Sequence, residues 1–506
     1  MKEEYGFLHH VLIMRKEIVF NFIFTFLTGF IVFIQNKFFV KYMGIEILGI
    51  MNLFTQLLQY LNIVELGLGS ASAFALYKPL AERNRDQVSI IVSTIKNTYN
   101  KISFLLLVLG ILVTPFLPYF IKIENFTKDI YFYWIFYVIN TVSTYLYIKY
   151  VILFTANQEF IYVRFIQSIS KIFYQILQII FIIRYHSFFI FILLLILDNL
   201  TQYIFFKIHY KEKYSYIYKT KERYKGLNRD MKNLFWHKIA GLIVFNTDLI
   251  LISKLVSIEI VGIYASYQLI VQMLKTIIGV IINVIRPKIG KFISINSKDI
   301  IYILFKDINI VFMIIAIFFS YVSFRVINNF VTLWLGKGLE FSNITVILIC
   351  INIWSDIFRN VVGIFKESCG FFDDIQAPIL ESIINLLFSI VLGIKYGLNG
   401  IIIGTIISNI VVILIYRPIL VFKRCFDQNI KEYIKVYGNY LILLIISLFC
   451  LNAATKPFIR ENISSWLDWI IYATTISVIT GVVLFVVFLL NKEFRNIIKV
   501  YILKKK

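Results

Sequence analysis

The sequence predicts an all-α polytopic membrane protein of about fourteen transmembrane helices, with two six-helix lobes in parallel pseudo-twofold repeat and two further C-terminal helices. Three observations carry this expectation. Hydrophobic residues make up 59% of the 506 positions and the mean hydropathy is +0.80, above the apolar share of roughly 45–50% usual in soluble domains. These residues fall in runs of the length, roughly 20 residues, that crosses about 30 Å of hydrocarbon. The segment KYMGIEILGI at 41–50 returns as KLVSIEIVGI at 254–263, and at the same offset Gln59 pairs with Gln272, Leu61 with Leu274 and Asn62 with Lys275. Two copies of one membrane unit facing each other enclose a cleft, which is where repeat-built transporters place their substrate sites.

Taken in order, the apolar runs put spans near 18–40, 47–70, 102–121, 131–154, 162–183 and 187–206 in a first lobe, residues 1–206. Residues 207–235 form a basic linker. The second lobe, 236–416, holds spans near 236–253, 260–284, 301–325, 342–365, 379–394 and 399–416, and residues 417–506 add spans near 437–453 and 467–490 and a basic tail. An even number of spans per lobe keeps both copies in the same orientation. With the N-terminus cytoplasmic, roughly thirty-six of the 51 Lys and Arg fall inside and about eleven outside. The largest block runs from Lys207 to Lys232, and the pairs Lys78-Pro79, Arg286-Pro287 and Arg417-Pro418 are expected to close three spans on the same face. This bias and attraction to acidic lipid headgroups account for the net charge of +22 without a nucleic-acid partner. Residues 1–17 carry no small-residue cleavage site, so the first span is read as retained. Cys350, Cys369, Cys425 and Cys450 have no CxxC spacing, which argues against a metal site or a disulfide framework, and no cofactor is called for.

Helix 2 carries Asn52, Thr55, Gln56, Gln59, Asn62 and Glu65 at spacings of three and four, a polar stripe on an apolar cylinder. Its repeat partner shows Gln268, Gln272, Lys275, Gly279 and Asn283. Matching polar faces in two copies suit a shared wet lumen; the alternative is hydrogen bonding between packed helices. Helix 1 adds Asn21, Thr25, Thr28 and Gln35, the last three equivalent to Lys238, Gly241 and Asp248, while helix 10 carries Asn352, Ser355, Asp356, Arg359 and Gly363. An ionisable group at mid-bilayer costs about 2.5–3.5 kcal/mol on an insertion scale, so each needs a partner or water. Asp356 and Arg359, one turn apart, are placed to neutralise each other. Lys275, Arg359, Gln272, Gln59, Asn62 and Lys238 are the candidate substrate contacts, although Lys275 and Lys238 could also snorkel to the inner headgroups. Asp248, Glu65, Asp198 and Asp356 are the candidate carriers of a coupling proton or sodium ion, or else counter-charges to neighbouring cations. The glycines after Glu65 admit a hinge or close packing.

The run VELGLGSA at 64–71, continuing into FALYKPLAE at 74–82, resembles the second-helix signature of polysaccharide flippases of the O-antigen and capsule type. Thr332–Gly336, placed in the outer loop after helix 9, and KYGLNGIIIGT at 395–405 support the resemblance. These flippases belong to the multidrug, oligosaccharidyl-lipid and polysaccharide exporter superfamily. The resemblance implies a bacterial inner-membrane protein, and the asymmetry of Lys and Arg predicts that both termini are cytoplasmic. Its partners would be a polyprenyl-diphosphate-linked oligosaccharide, membrane lipids and other polysaccharide-assembly proteins. A diphosphate crossing hydrocarbon needs fixed cations, and sugar hydroxyls need amides. No dense arginine cluster stands in helices 1 and 2, which disfavours a peptidoglycan precursor.

An ion-coupled drug or cation antiporter of the same superfamily is the nearest rival, and a membrane glycan polymerase or ligase the third class. An enzyme would need positioned acid and base groups outside, where His186 is the one histidine. The topology is testable by cysteine labelling in intact cells. A cysteine near Lys337 should react with an impermeant maleimide and one near Lys221 should not; the reverse pattern overturns the orientation.

Overall fold

The computed structural model describes the backbone of residues 2–65, 68–122, 127–224, 247–371, 374, 376–460 and 463–499, and their side chains from residue 23 onward except 63 and 64. Among the described residues every regular element is helical. Among the described residues, eleven helices are long and apolar enough to cross a membrane. Lys238 and the span expected near 236–253 lie outside the described residues, apart from the helical turns at Asp248–Leu255.

The chain divides into two compact units, Met1–Gly262 and Ile263–Lys506. The first contains α1 (Lys2–Met43), α2 (Ile45–Leu61), α3 (Leu68–Ala81), α4 (Arg85–Val113), α5 (Leu117–Phe120), α6 (Asp129–Thr144), α7 (Ile148–Ala156), α8 (Phe160–Tyr185), α9 (Phe188–Lys213) and α10 (Asp248–Leu255). Helix α1 packs on α8, and α8 and α6 pack on α9. Helix α11 (Ile258–Ile295) begins at the end of this unit. The second unit continues with α12 (Lys298–Leu335), α13 (Asn343–Ser368), α14 (Gln376–Ser408), α15 (Arg417–Phe426), α16 (Ile430–Thr455), α17 (Trp466–Phe488) and α18 (Lys492–Ile497). Its centre is α12, packed on α13 and α17.

Several expectations are corrected. The second span is not one helix: α2 ends at Leu61 and a 3₁₀ turn at Asn62–Glu65 follows. The fourth span is likewise interrupted, at Tyr145–Tyr147 between α6 and α7. Thr332–Leu335 belong to helix α12, which stops only at Gly336, where φ is 117°. The basic-proline pairs do not close their spans, since α3 continues to Ala81 past Pro79 and α11 to Ile295 past Pro287. A proline costs the helix one hydrogen bond, and charged, partly wet neighbours make that tolerable.

The run Gln376–Ser408 holds the two expected spans, because Gly397 takes a non-helical conformation with φ 58° and reverses the chain. Ser389 Oγ donates to Ile401 O at 3.1 Å and Asn385 Nδ2 to Thr405 Oγ1 at 3.1 Å. Such pairing, in which one number falls as the other rises, defines two antiparallel arms. A π-helical stretch, Asn409–Tyr416, continues the second arm.

After α9 the linker is tied down before it leaves the described residues. Glu159, in the turn before α8, is met by His209 at 2.6 Å, Lys213 at 3.0 Å, Asn157 at 2.9 Å and the Tyr214 hydroxyl. Burial pushes this carboxyl up, but the hydrogen bonds from Tyr214, His209, Asn157 and Lys213 prevail and hold it at about 2. The chain then runs back along α4, where Tyr218 N–H donates to Ser89 Oγ at 3.2 Å, Thr220 N–H to Ser93 Oγ at 3.3 Å and Tyr224 N–H to Thr94 Oγ1 at 3.0 Å.

The duplicated segments meet within the first unit. A Cβ on Gly49 would stand closer than 3.0 Å to the carbonyl oxygen of Ile258, and a Cβ on Gly262 closer than 3.0 Å to that of Ile45. Gly49 and Gly262, like Ile45 and Ile258, are equivalent positions in the repeat, so the contact is reciprocal. Gly49→Val or Gly262→Val is therefore expected to destabilise the detergent-solubilised protein by about 1–3 kcal/mol. Gly279→Ala, with nothing within 4 Å of the new methyl, should not. Thermal unfolding of the three variants checks this, and an unchanged midpoint in both valine variants refutes it.

Candidate functional site

Seven charged residues of the second unit form a connected ladder. Lys275 on α11 lies 2.5 Å from Asp356 on α13, and Arg359, one turn further along α13, lies 3.7 Å from the same carboxylate. Arg359 also reaches Glu381 on α14 at 3.6 Å, and Glu381 is 3.4 Å from Arg417 at the start of α15. Arg417 is 3.8 Å from Asp374, which also binds Lys366. Cations and acids alternate along this chain, four of one to three of the other, leaving one positive charge over. The pairing explains how ionisable groups persist in apolar helices, since an opposite charge within 4 Å offsets much of the desolvation cost.

Access is uneven along the ladder. The Lys275 side chain is 36% exposed and that of Glu381 only 4%. Gln272, one turn before Lys275, is exposed as well. The Lys275 end is therefore the more accessible one, while Glu381 is a buried counter-charge between two guanidinium groups. Asp356 is thus paired with both Lys275 and Arg359.

The remaining candidates do not join this cluster. Asn62 and Glu65 lie together in the first unit, in the 3₁₀ turn that interrupts the second span. The Tyr145 hydroxyl reaches Glu65 Oε2 at 2.8 Å and Asn62 Oδ1 at 3.1 Å, and the Tyr99 hydroxyl donates to Glu65 Oε1 at 3.4 Å. Tyr145 itself stands in the interruption between α6 and α7, so two helix breaks are joined by one phenol. Gln59 is exposed on α2, opposite the buried Leu53, Leu57 and Leu58. Asp198 is bound by Ser170 and accepts from Gln202 at 2.9 Å, deep between α8 and α9. Asp248 begins α10 beside Thr247, whose hydroxyl is 2.7 Å from that of Tyr60, and acts electrostatically on that tyrosine. Gln35, its neutral counterpart in the repeat, is buried and donates to Gln178 at 2.6 Å.

Sequence reasoning missed Glu381, Asp374 and the site role of Arg417. The signal for Glu381 was available, since an acid inside the apolar run 379–394 demands a partner. Tyr99 and Tyr145 carried none, because tyrosine in a span reads first as packing.

No family model and no curated protein matches the sequence. Solved structures do. Over 92% of this chain and 98% of the other, the fold matches that of a lipid II flippase, MurJ, in an inward closed conformation, with a TM-score of 0.64 at 15% identity. It also matches an inward-facing multidrug resistance MATE family transporter of the MOP superfamily over 76% of this chain and 92% of that one, with a TM-score of 0.54 at 13% identity. The likeness is one of fold.

The ladder predicts an order of stabilities. Glu381→Gln removes the buried carboxylate shared by two guanidinium groups, leaving Arg359 with Asp356 at 3.7 Å and Arg417 with Asp374 at 3.8 Å, and should cost about 3 kcal/mol, as breaking a buried pair does. Lys275→Gln, at the exposed end, should cost less than about 1 kcal/mol. Denaturation of the solubilised variants measures both, and equal losses would contradict the assignment.

Proposed function

We propose that the chain is a flippase that moves a polyprenyl-diphosphate-linked oligosaccharide repeat unit from the cytoplasmic to the outer leaflet by alternating access, for cell-surface polysaccharide synthesis. The observation that carries this reading is the charge ladder with its accessible cation. A diphosphate presented to Lys275 exchanges one carboxylate partner for a more highly charged anion, and Arg359, held by Asp356 and Glu381, is placed to share it. Gln272 beside them offers the amide that sugar hydroxyls require. The shared fold with a flippase and with a drug transporter supports membrane transport and leaves the substrate to the site chemistry.

Energy coupling is assigned by the same logic to an acid outside the ladder. Glu65 is solvated by two tyrosine hydroxyls, and no cation lies within 4.0 Å of it among the described residues. A proton or sodium ion bound there would stabilise one arrangement of the two helix breaks over another. Asp248 is the second candidate.

Transport of lipid-linked oligosaccharide in reconstituted vesicles tests the reading. Lys275→Gln should lower the rate roughly tenfold or more at unchanged abundance, the equivalent of one lost charge-assisted hydrogen bond. Arg359→Lys should retain part of the activity, because a point charge replaces a guanidinium fork incompletely. Glu65→Gln should abolish the response to an imposed proton or sodium gradient. Full transport by the Lys275→Gln/Arg359→Gln double variant would remove the substrate assignment, and a Glu65→Gln variant that still responds to the gradient would remove the coupling assignment.

A further inference from the structure

The linker that returns along α4 roofs a cavity of about 450 Å³ in the first unit. Five lysines line it: Lys96 from α4, Lys149 from α7, Lys207 and Lys211 from α9, and Lys219 from the linker itself. Among the described residues no acidic residue lines it, and no carboxylate oxygen lies within 4.0 Å of any of these five ammonium groups. Two of the five are steadied by aromatic faces. Lys149 Nζ is 4.5 Å from the Tyr150 ring centroid and 5.5 Å from that of Tyr210, and Lys207 Nζ is 5.2 Å from that of Tyr203.

A positive-inside bias explains lysines near this end of the helices, but it does not require them to converge from four separate segments on one recess. Cation–π contacts hold charges in place without neutralising them. Five like charges around one small volume repel one another, and that repulsion is relieved by a multivalent anion. The volume falls within the range that takes a small ligand. We propose that this cavity is a binding site for a phosphorylated group carrying two or more negative charges, either a soluble phosphate ester or the headgroup of an acidic lipid. The site consists of residues of the first unit alone and stands whether or not Lys275 and Arg359 bind a transported substrate. Two of its lining rings, Tyr99 and Tyr145, are those whose hydroxyls reach Glu65, so occupancy and the state of that carboxylate share two side chains.

The test uses the full-length protein in non-ionic detergent and two probes, inorganic diphosphate and cardiolipin, whose headgroup carries two phosphates. Binding of the first is read by calorimetry and of the second by native mass spectrometry, with lysine acetylation footprinting of the parent protein in both arms. At least one probe should bind, protect Lys96 and Lys207 but not Lys101 from acetylation, and bind about tenfold more weakly to a Lys96→Gln/Lys207→Gln variant. Diphosphate binding identifies a soluble ligand, and cardiolipin binding alone identifies a lipid headgroup. The footprint does not depend on how the variant folds. Binding of neither probe, protection of Lys101 equal to that of Lys96, or undiminished binding by the double variant overturns the proposal.

Discussion

Hydrocarbon offers no hydrogen bond, and the arrangement of this chain follows from that single constraint. Between helices that already lie in lipid, apolar contact gains little, so polar contacts carry much of the specificity. Gln35 is bound to Gln178, which donates in turn to the Phe191 carbonyl at 3.2 Å. Asn199 donates to Ser143 at 2.8 Å and to the Asn140 side chain at 2.9 Å. In the second unit Tyr267 donates to Asn328 at 2.5 Å and accepts from the Phe341 N–H at 3.0 Å. The charge ladder is the costliest case of the same rule, since it must satisfy charges as well as dipoles.

The irregular backbone obeys the rule too. Asn62–Glu65, Tyr145–Tyr147 and the π-helical Asn409–Tyr416 each depart from the α-helix inside a span, and Gly397 does so at the turn between two. Each lies beside polar side chains: Asn62 and Glu65 at the first, the Tyr145 phenol at the second, Asn399 reaching Thr345 at 2.8 Å near the third, and Asn409 reaching Asn352 and Ser355 at 3.2 Å at the fourth. A helix that gives up its own ladder in the membrane must be compensated locally, and such places are able to change shape at moderate cost.

The helical class and most spans were legible because burial in lipid is written in composition, one residue at a time. Lys275, Asp356 and Arg359 were legible for the same reason, as ionic residues where apolar ones belong. Their arrangement was not. Glu381 and Arg417 join them from α14 and α15, and pairing between helices leaves no periodicity in either. The break at Asn62 was hidden by the glycines after Glu65, which drew attention to a hinge further along. The stripe on α2 was legible as a stripe, yet its members serve different ends: Asn52 and Thr55 donate to the carbonyls of Leu48 and Met51 in their own helix, whereas Asn62 and Glu65 are reached by Tyr145.

The reciprocal seat of Gly49 and Gly262 bears on how the two halves of the gene are free to diverge. In a symmetric dimer of identical subunits one codon would supply both glycines, and any enlargement would strike the contact from both sides at once. Joined in a single chain, the two positions mutate separately. Yet each glycine is pressed against the carbonyl of the other copy's isoleucine, where identity of side chain is irrelevant and only the backbone matters. The contact therefore constrains the Cβ atoms and not sequence matching, so the two halves can differ freely around it provided both positions stay as small as glycine.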